Sequence, residues 1–128
     1  MSLLKIYQGQ ALQQALAEIV QPVQVTYVAF DQPEPDTLQA LADLIQLTPY
    51  LSIDTHLEPT AKADRVIVRG GSGSELVFVG APLGTELPAL VSAIVVAGRG
   101  DSGLASQTRQ ALANLRRPVH LEVFTTPT

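Results

Sequence analysis

The chain has 128 residues, 46% of them hydrophobic and 16% charged, which suits one core, or one complete lobe plus a fragment of the next, and excludes a disordered chain. A net charge of −4 and a pI near 4.9 argue against a phosphate-binding surface for DNA or RNA. The absence of Cys excludes a disulfide framework, a thiol nucleophile and a thiolate metal site within these residues.

No apolar run reaches the roughly 18 residues that a membrane span needs. The opening MSLLKIYQGQ has too short an apolar block for a secretory signal, so a cytoplasmic location is the expectation. Residues 9–20 place Leu12, Ala15, Leu16, Ile19 and Val20 at spacings of three and four, the stripe of an amphipathic helix that Pro22 stops. VQVTYVAF at 23–30 is β-branched and aromatic, and reads as a strand buried on both faces. The breaker cluster DQPEPD follows, with Asp36 and Thr37 expected to cap a helix. That helix buries Leu38, Leu41, Leu44 and Ile45 and ends at Thr48-Pro49.

LSIDTHLE at 51–58 alternates, with Leu51, Ile53, Thr55 and Leu57 on one side. RVIVRG and ELVFVG form an antiparallel strand pair around a glycine turn. ELPALVSAIVVAG follows as an apolar helix closed by Gly98 and Gly100, and a further helix at about 102–115 precedes a closing strand. In that strand Val119, Leu121 and Val123 alternate with His120, Glu122 and Phe124. No internal repeat and no low-complexity tract stand out. The order implies a right-handed βαβ crossover and then a ββα unit. An α/β thioredoxin-like lobe, a small mixed sheet flanked by helices, is the expected fold.

Several strings invite functional readings. RGGSGSE at 69–75 lacks the Lys-Ser/Thr and following helix of a phosphate loop, so a hairpin turn accounts for it. GRGDSGLA at 98–105 contains Gly-Asp-Ser-Gly and Arg-Gly-Asp, but falls between two helices, where Asp101 or Ser102 serves as an N-cap. His56 and His120 are the only imidazoles, each with a Glu two residues on, and two His without other arranged ligands make a poor metal site. Arg116-Arg117 suits a helix C-terminus.

The stretch FVGAPLGTELPALVSAIVVAGRG (78–100), the helix SQTRQALANL and the strand LEVFTTPT resemble the N-terminal region of the flavoprotein component of bacterial alkyl hydroperoxide reductase. The Gly-Ala-Pro-Leu-Gly-Thr-Glu run at 80–86 is the most specific part, and related two-lobed, glutaredoxin-like protein disulfide oxidoreductases share the pattern. The resemblance implies two thioredoxin-like folds side by side, the first without cysteines, the second with a Cys-x-x-Cys pair directly after a strand like 119–124. Residues 1–100 would then be the cysteine-free lobe. Residues 101–128 would be a linker helix and first strand leading toward the second lobe, with VFTTPT running into its first cysteine. FAD and NAD(P)H would belong elsewhere in a full-length parent, none of them to this chain.

In such folds the redox pair sits between the first strand and its helix. Here that position holds Asp31, Gln32, Pro33, Glu34, Pro35 and Asp36, none of which can supply the thiolate that exchange requires. The proline, usually cis, that precedes the third strand of redox-active relatives is also missing, since Lys62-Ala63-Asp64-Arg65 leads in. Glu86 matches the family's acidic residue at the start of the apolar helix, where a carboxylate could act as accessory acid–base group for a neighbouring thiol. A plainer role is that of a first-turn residue favouring the macrodipole beside Thr85.

The expected function is a non-catalytic supporting lobe, with no redox turnover of its own. Leu87, Leu90, Val91, Ile94, Val95 and Val96 cover most of their helix, so one of its faces is expected to meet something beyond the lobe. The expected partners are a second, Cys-x-x-Cys lobe in cis or in trans and, through the parent, a peroxidase. A homodimer through the last strand is the other possibility, with no nucleic acid and no membrane. The alternative is a stand-alone thioredoxin-like protein-binding module. A small-molecule enzyme using Asp31, Glu34 or Asp36 is the third reading, with no base or nucleophile arranged near them.

Overall fold

The computed structural model describes residues 9–71, 73, 75–80, 82 and 86–124. In chain order the elements are α1 (Gly9–Leu16), β1 (Val23–Ala29), α2 (Pro35–Leu47), β2 (Leu51–Leu57), β3 (Arg65–Arg69), β4 (Glu75–Val79), α3 (Leu87–Arg99) and α4 (Ser106–Ala113). The sheet order is β2-β1-β3-β4. β1 and β2 run parallel across the α2 crossover, with Val23 opposite Leu51 and Ala29 opposite Leu57. β3 lies antiparallel to β1 and to β4. The hairpin reading of residues 69–75 holds: Arg69 and Glu75 face each other and form an ion pair at 3.2 Å. Ser72 and Ser74 of that turn lie outside the described residues.

One apolar cluster organises the lobe. Leu12 and Leu16 of α1, Leu41 and Leu44 of α2, and Leu87, Leu90, Val91 and Ile94 of α3 meet Val23, Val25, Tyr27 and Ala29 of β1 and Val66 and Val68 of β3. These strand residues alternate, so they share one face of the sheet. The three helices therefore cover that face. The opposite face carries Thr26, Val28, Ile67, Val77 and Val79, which are outside the cluster.

Some sequence expectations shift. α1 ends at Leu16, and Glu18 and Ile19 donate backbone bonds to Ala15 and Leu16, a tightened last turn ahead of Pro22. In α2 the buried residues are Thr37, Ala40, Leu41 and Leu44, whereas Leu38 and Ile45 lie more than a third exposed. The N-cap of α2 is Glu34, without a side-chain cap bond; Pro35 opens the helix and Asp36 sits in its first turn, where a negative charge favours the dipole. Thr37 is buried within the helix.

The expectation that α3 presents an apolar face outward is also corrected. Leu87, Leu90, Val91, Ala93, Ile94, Val95 and Gly98 are all buried within this lobe, and of the apolar stripe only Val96 reaches the surface. Its close seating explains why. A Cβ at Gly98 would lie 2.5 Å from Ile19 Cγ2, and one at Gly70 would lie 2.8 Å from the Ala97 carbonyl. Without those methyls the last turn of α3 reaches the α1–β1 turn, where Val20 and Gln21 donate backbone bonds to the Gly98 carbonyl. Gly100, in the left-handed region at φ 72°, ends the helix.

From Gly100 to Phe124 every residue is exposed. α4 starts at Ser106, not near 102, and its N-cap is Ala105. Asp101 and Ser102 are turn residues instead: Asp101 accepts a bond from the Gly103 amide at 3.0 Å and pairs with Arg109, and Ser102 accepts from Leu104. Arg116 and Arg117 follow the C-cap Asn114. The expected closing strand at 119–124 pairs with no described strand. A strand exists as a ladder, and none is offered to it here.

The elements expose a repeat that the residue pattern alone did not reveal. Gln14-Ala15-Leu16-Ala17 recurs as Gln110-Ala111-Leu112-Ala113, and Pro22-Val23 recurs as Pro118-Val119. At the same offset Ile19 matches Leu115, Val25 matches Leu121 and Tyr27 matches Val123. Helix α1, its proline and strand β1 thus return as α4, Pro118 and residues 119–124.

Candidate functional site

The carboxyl ends of parallel strands are where open α/β sheets place their chemistry, and here β1 delivers Asp31–Asp36 to that end. A surface cleft lined by Leu16, Ile19, Leu47, Pro49 and Tyr50 lies at the opposite end of β1 and β2. What fastens the loop after β1 is a polar latch. Tyr27 is fully buried and its phenol donates to Asp64 Oδ2 at 2.6 Å. The amide of Glu34 donates to the same phenol oxygen at 2.8 Å. The amide of Phe30 donates to Asp64 Oδ1 at 3.2 Å. One carboxylate therefore grips both the last turn of β1 and, through Tyr27, the start of α2.

Asp64 is itself fixed. It stands directly before β3, and its carbonyl accepts the Gly80 amide at 2.7 Å. Next to it Arg65 pairs with Glu58, whose amide donates to the Ala29 carbonyl at 2.8 Å. The entry to β3 is thus an acid that reaches across to the loop after β1. Burial pushes the Tyr27 phenol above its ordinary value, and its bond to Asp64 adds to the rise while the Glu34 amide opposes it. The phenol is therefore a proton donor throughout the neutral range.

Of the residues singled out in the sequence, Glu34 joins this latch through its backbone, while Asp31, Gln32, Pro33, Pro35 and Asp36 frame it. Glu86 lies elsewhere, at the N-cap of α3 with φ −89° and ψ −13°. Its half-buried side chain makes no cap bond and no hydrogen bond or ion pair with any described residue. Thr85, named beside it, lies outside the described residues, as do Ala81, Leu83 and Gly84 of the 80–86 run. The histidines are not joined: His56 stands on the helix-free face of β2, and His120 meets Glu122 at 3.0 Å in the exposed segment. Among the described residues no group of three metal-ligating side chains occurs, and no helix is long and apolar enough to cross a membrane.

The residues that sequence reasoning missed are Tyr27 and Asp64. Tyr27 stood inside an apolar strand, where a phenol calls for a buried partner, and Asp64 stood at the entry to β3. Their pairing across the fold was the unreadable part.

The fold defines the class. A βαβ unit followed by a ββα hairpin unit, with α3 closing the sheet and the Asp31–Asp36 loop at the end of β1, is a thioredoxin-like lobe. No protein-family model matches the chain, and no curated protein does. Solved structures do. The alkylhydroperoxide reductase component AhpF of Enterococcus faecalis is similar over 84% of this chain at 20% identity, with a TM-score of 0.71. The NTD N/C domain of the same enzyme gives 0.68 over 80% at 20% identity. A protein disulfide oxidoreductase of Aeropyrum pernix gives 0.66 over 83% at 25% identity. The chain spans 53–59% of the length of these structures.

Proposed function

We propose that this lobe acts without covalent chemistry, as the supporting half of a thiol–disulfide electron-transfer unit. It packs beside a Cys-x-x-Cys thioredoxin-like lobe, completes the groove around that lobe's dithiol, and offers Glu86 as an accessory acid–base group. The observation that carries the reading is the exchange of roles at the redox position. The Tyr27–Asp64 latch rigidifies the loop where a thiol pair would need to open and close, while the half-buried Glu86 carboxylate has no hydrogen-bond or ion-pair partner among the described residues.

The repeat supports the same division. Residues 1–100 form the cysteine-free lobe, and residues 101–128 supply the helix and first strand of a second unit built on the same plan. The similarity to AhpF and to a protein disulfide oxidoreductase makes an alkyl hydroperoxide reductase system, in a cytoplasmic setting, the fitting context. A peroxidase would then be the downstream partner, and FAD and NAD(P)H would be bound by other parts of a parent protein.

The test joins this chain to the Cys-x-x-Cys lobe of an AhpF and follows reduction of an aryl disulfide. Glu86→Gln should slow exchange several-fold, with folding intact. Unchanged rates would leave Glu86 as a helix-end residue. Insulin reduction by this chain alone above the dithiothreitol background would overturn the non-covalent role.

A further inference from the structure

The two edges of the sheet are not alike. β2 carries Asp54 at its centre, with His56 beyond it. β4 carries Leu76, Val77, Phe78 and Val79 in sequence, with no Lys and no Pro, and its one charge, Glu75, already pairs with Arg69. Val77 is half exposed and Val79 is 74% exposed. Natural edges are guarded by charge, proline or cover; among the described residues β4 has only Glu75, at its first position and already paired.

The backbone phase of this edge follows from one bond. The Gly80 amide donates to the Asp64 carbonyl. In an antiparallel ladder bonded and non-bonded pairs alternate, so Val66–Phe78 and Val68–Leu76 exchange the bonds between β3 and β4. The N–H and C=O groups of Glu75, Val77 and Val79 therefore point away from the sheet, toward the free edge.

We infer that this edge is a self-association surface: β4 pairs antiparallel with β4 of a second copy of this chain, about a twofold axis at Val77. In that register Val77 faces Val77 of the partner subunit, and Glu75 faces Val79 of the partner subunit. Each of these facing pairs brings together residues whose backbone groups both point outward, so donors meet acceptors along the strand. The same-residue spacing keeps side chains on their own faces, with both helix layers on one side of a continuous sheet. No like charges oppose each other. The equivalent pairing of β2 about its centre would set Asp54 against its own copy, which disfavours it.

The inference does not rest on the redox reading. Its test is the mass of the full chain by light scattering from about 1 μM to about 1 mM, read together with amide exchange. The mass should rise from 13.6 kDa toward twice that, with the Val77 and Val79 amides slowing at least tenfold as concentration rises. Val77→Pro removes only an amide that the β3–β4 ladder does not use, so the lobe should stay folded and monomeric. Should that variant not fold, Val77→Lys keeps the amide and sets two ammonium groups face to face, and should weaken association at low salt. A monomer at the highest concentration overturns the proposal. So does a dimer whose Val77 and Val79 amides exchange as freely as in dilute solution, or one that survives every folded variant unchanged.

Discussion

Residues 10–28 and 106–124 are two versions of one helix–proline–strand unit, and their fates differ. In the first, Leu16 is 3% exposed and Tyr27 is fully buried; in the second, Leu112 is 49% exposed and Val123 is 84% exposed. The helix forms in both places, because its i to i−4 bonds are internal to the segment. The strand forms only in the first, because β1 has β2 and β3 on either side while residues 119–124 have no ladder. The same local pattern thus yields a core in one setting and an open surface in the other, with tertiary partners deciding.

The sharpest way to break this comparison is to make the same change in both copies. Leu16→Ala should cost about 2–5 kcal/mol of stability, the loss of a buried leucine with the cavity it leaves. Leu112→Ala should stay within about 0.5 kcal/mol in the same chain. Urea unfolding monitored by circular dichroism gives both values. Equal costs would mean that α4 packs as α1 does, contrary to its exposure.

A smaller effect probes why the first copy is closed at its carboxyl end. Asp64→Ala leaves the Tyr27 phenol and the Phe30 amide without their shared acceptor, and should cost about 1.5–3 kcal/mol. The latch also sets an alkaline limit. Because the phenol's folded value lies above its ordinary value of 10.0, its contribution is complete below pH 10.0. It then diminishes as pH rises through the folded value. Tyr27→Phe should lose the latch at neutral pH and remove this alkaline component. Unfolding curves in which the wild type and the variant fall in parallel above pH 10.0 would contradict the assignment.

Much of this architecture was legible in the residues. The β-branched run at 23–29, the alternation at 51–57 and the glycine turn between 69 and 75 identified β1, β2 and the hairpin, because period-two patterns and turn chemistry are local signals. Helix faces were read less accurately. The spacing of α2 puts Ile45 inside, yet it is exposed, and the apolar run of α3 implies an outward face, although Gly98 and Gly70 let it sink into its own lobe. The latch was not legible, since Tyr27 and Asp64 are 37 positions apart and only the antiparallel pairing of β1 with β3 brings Tyr27 beside the entry to β3. The repeat is faint in the residues for a related reason. Its two copies share small and apolar residues whose common role emerges only once α1 and β1 are seen in place.

Amide hydrogen exchange on the dilute chain tests the central contrast most directly, because it reads both copies and the latch in one measurement. Val25, Tyr27, Phe30 and Glu34 should be slowed by about a thousandfold or more, while Leu121 and Val123 exchange within about tenfold of a free peptide. Comparable protection in the two copies, or rapid exchange at Phe30 and Glu34, would contradict a lobe that is closed at the loop after β1 and open at its second helix–strand unit.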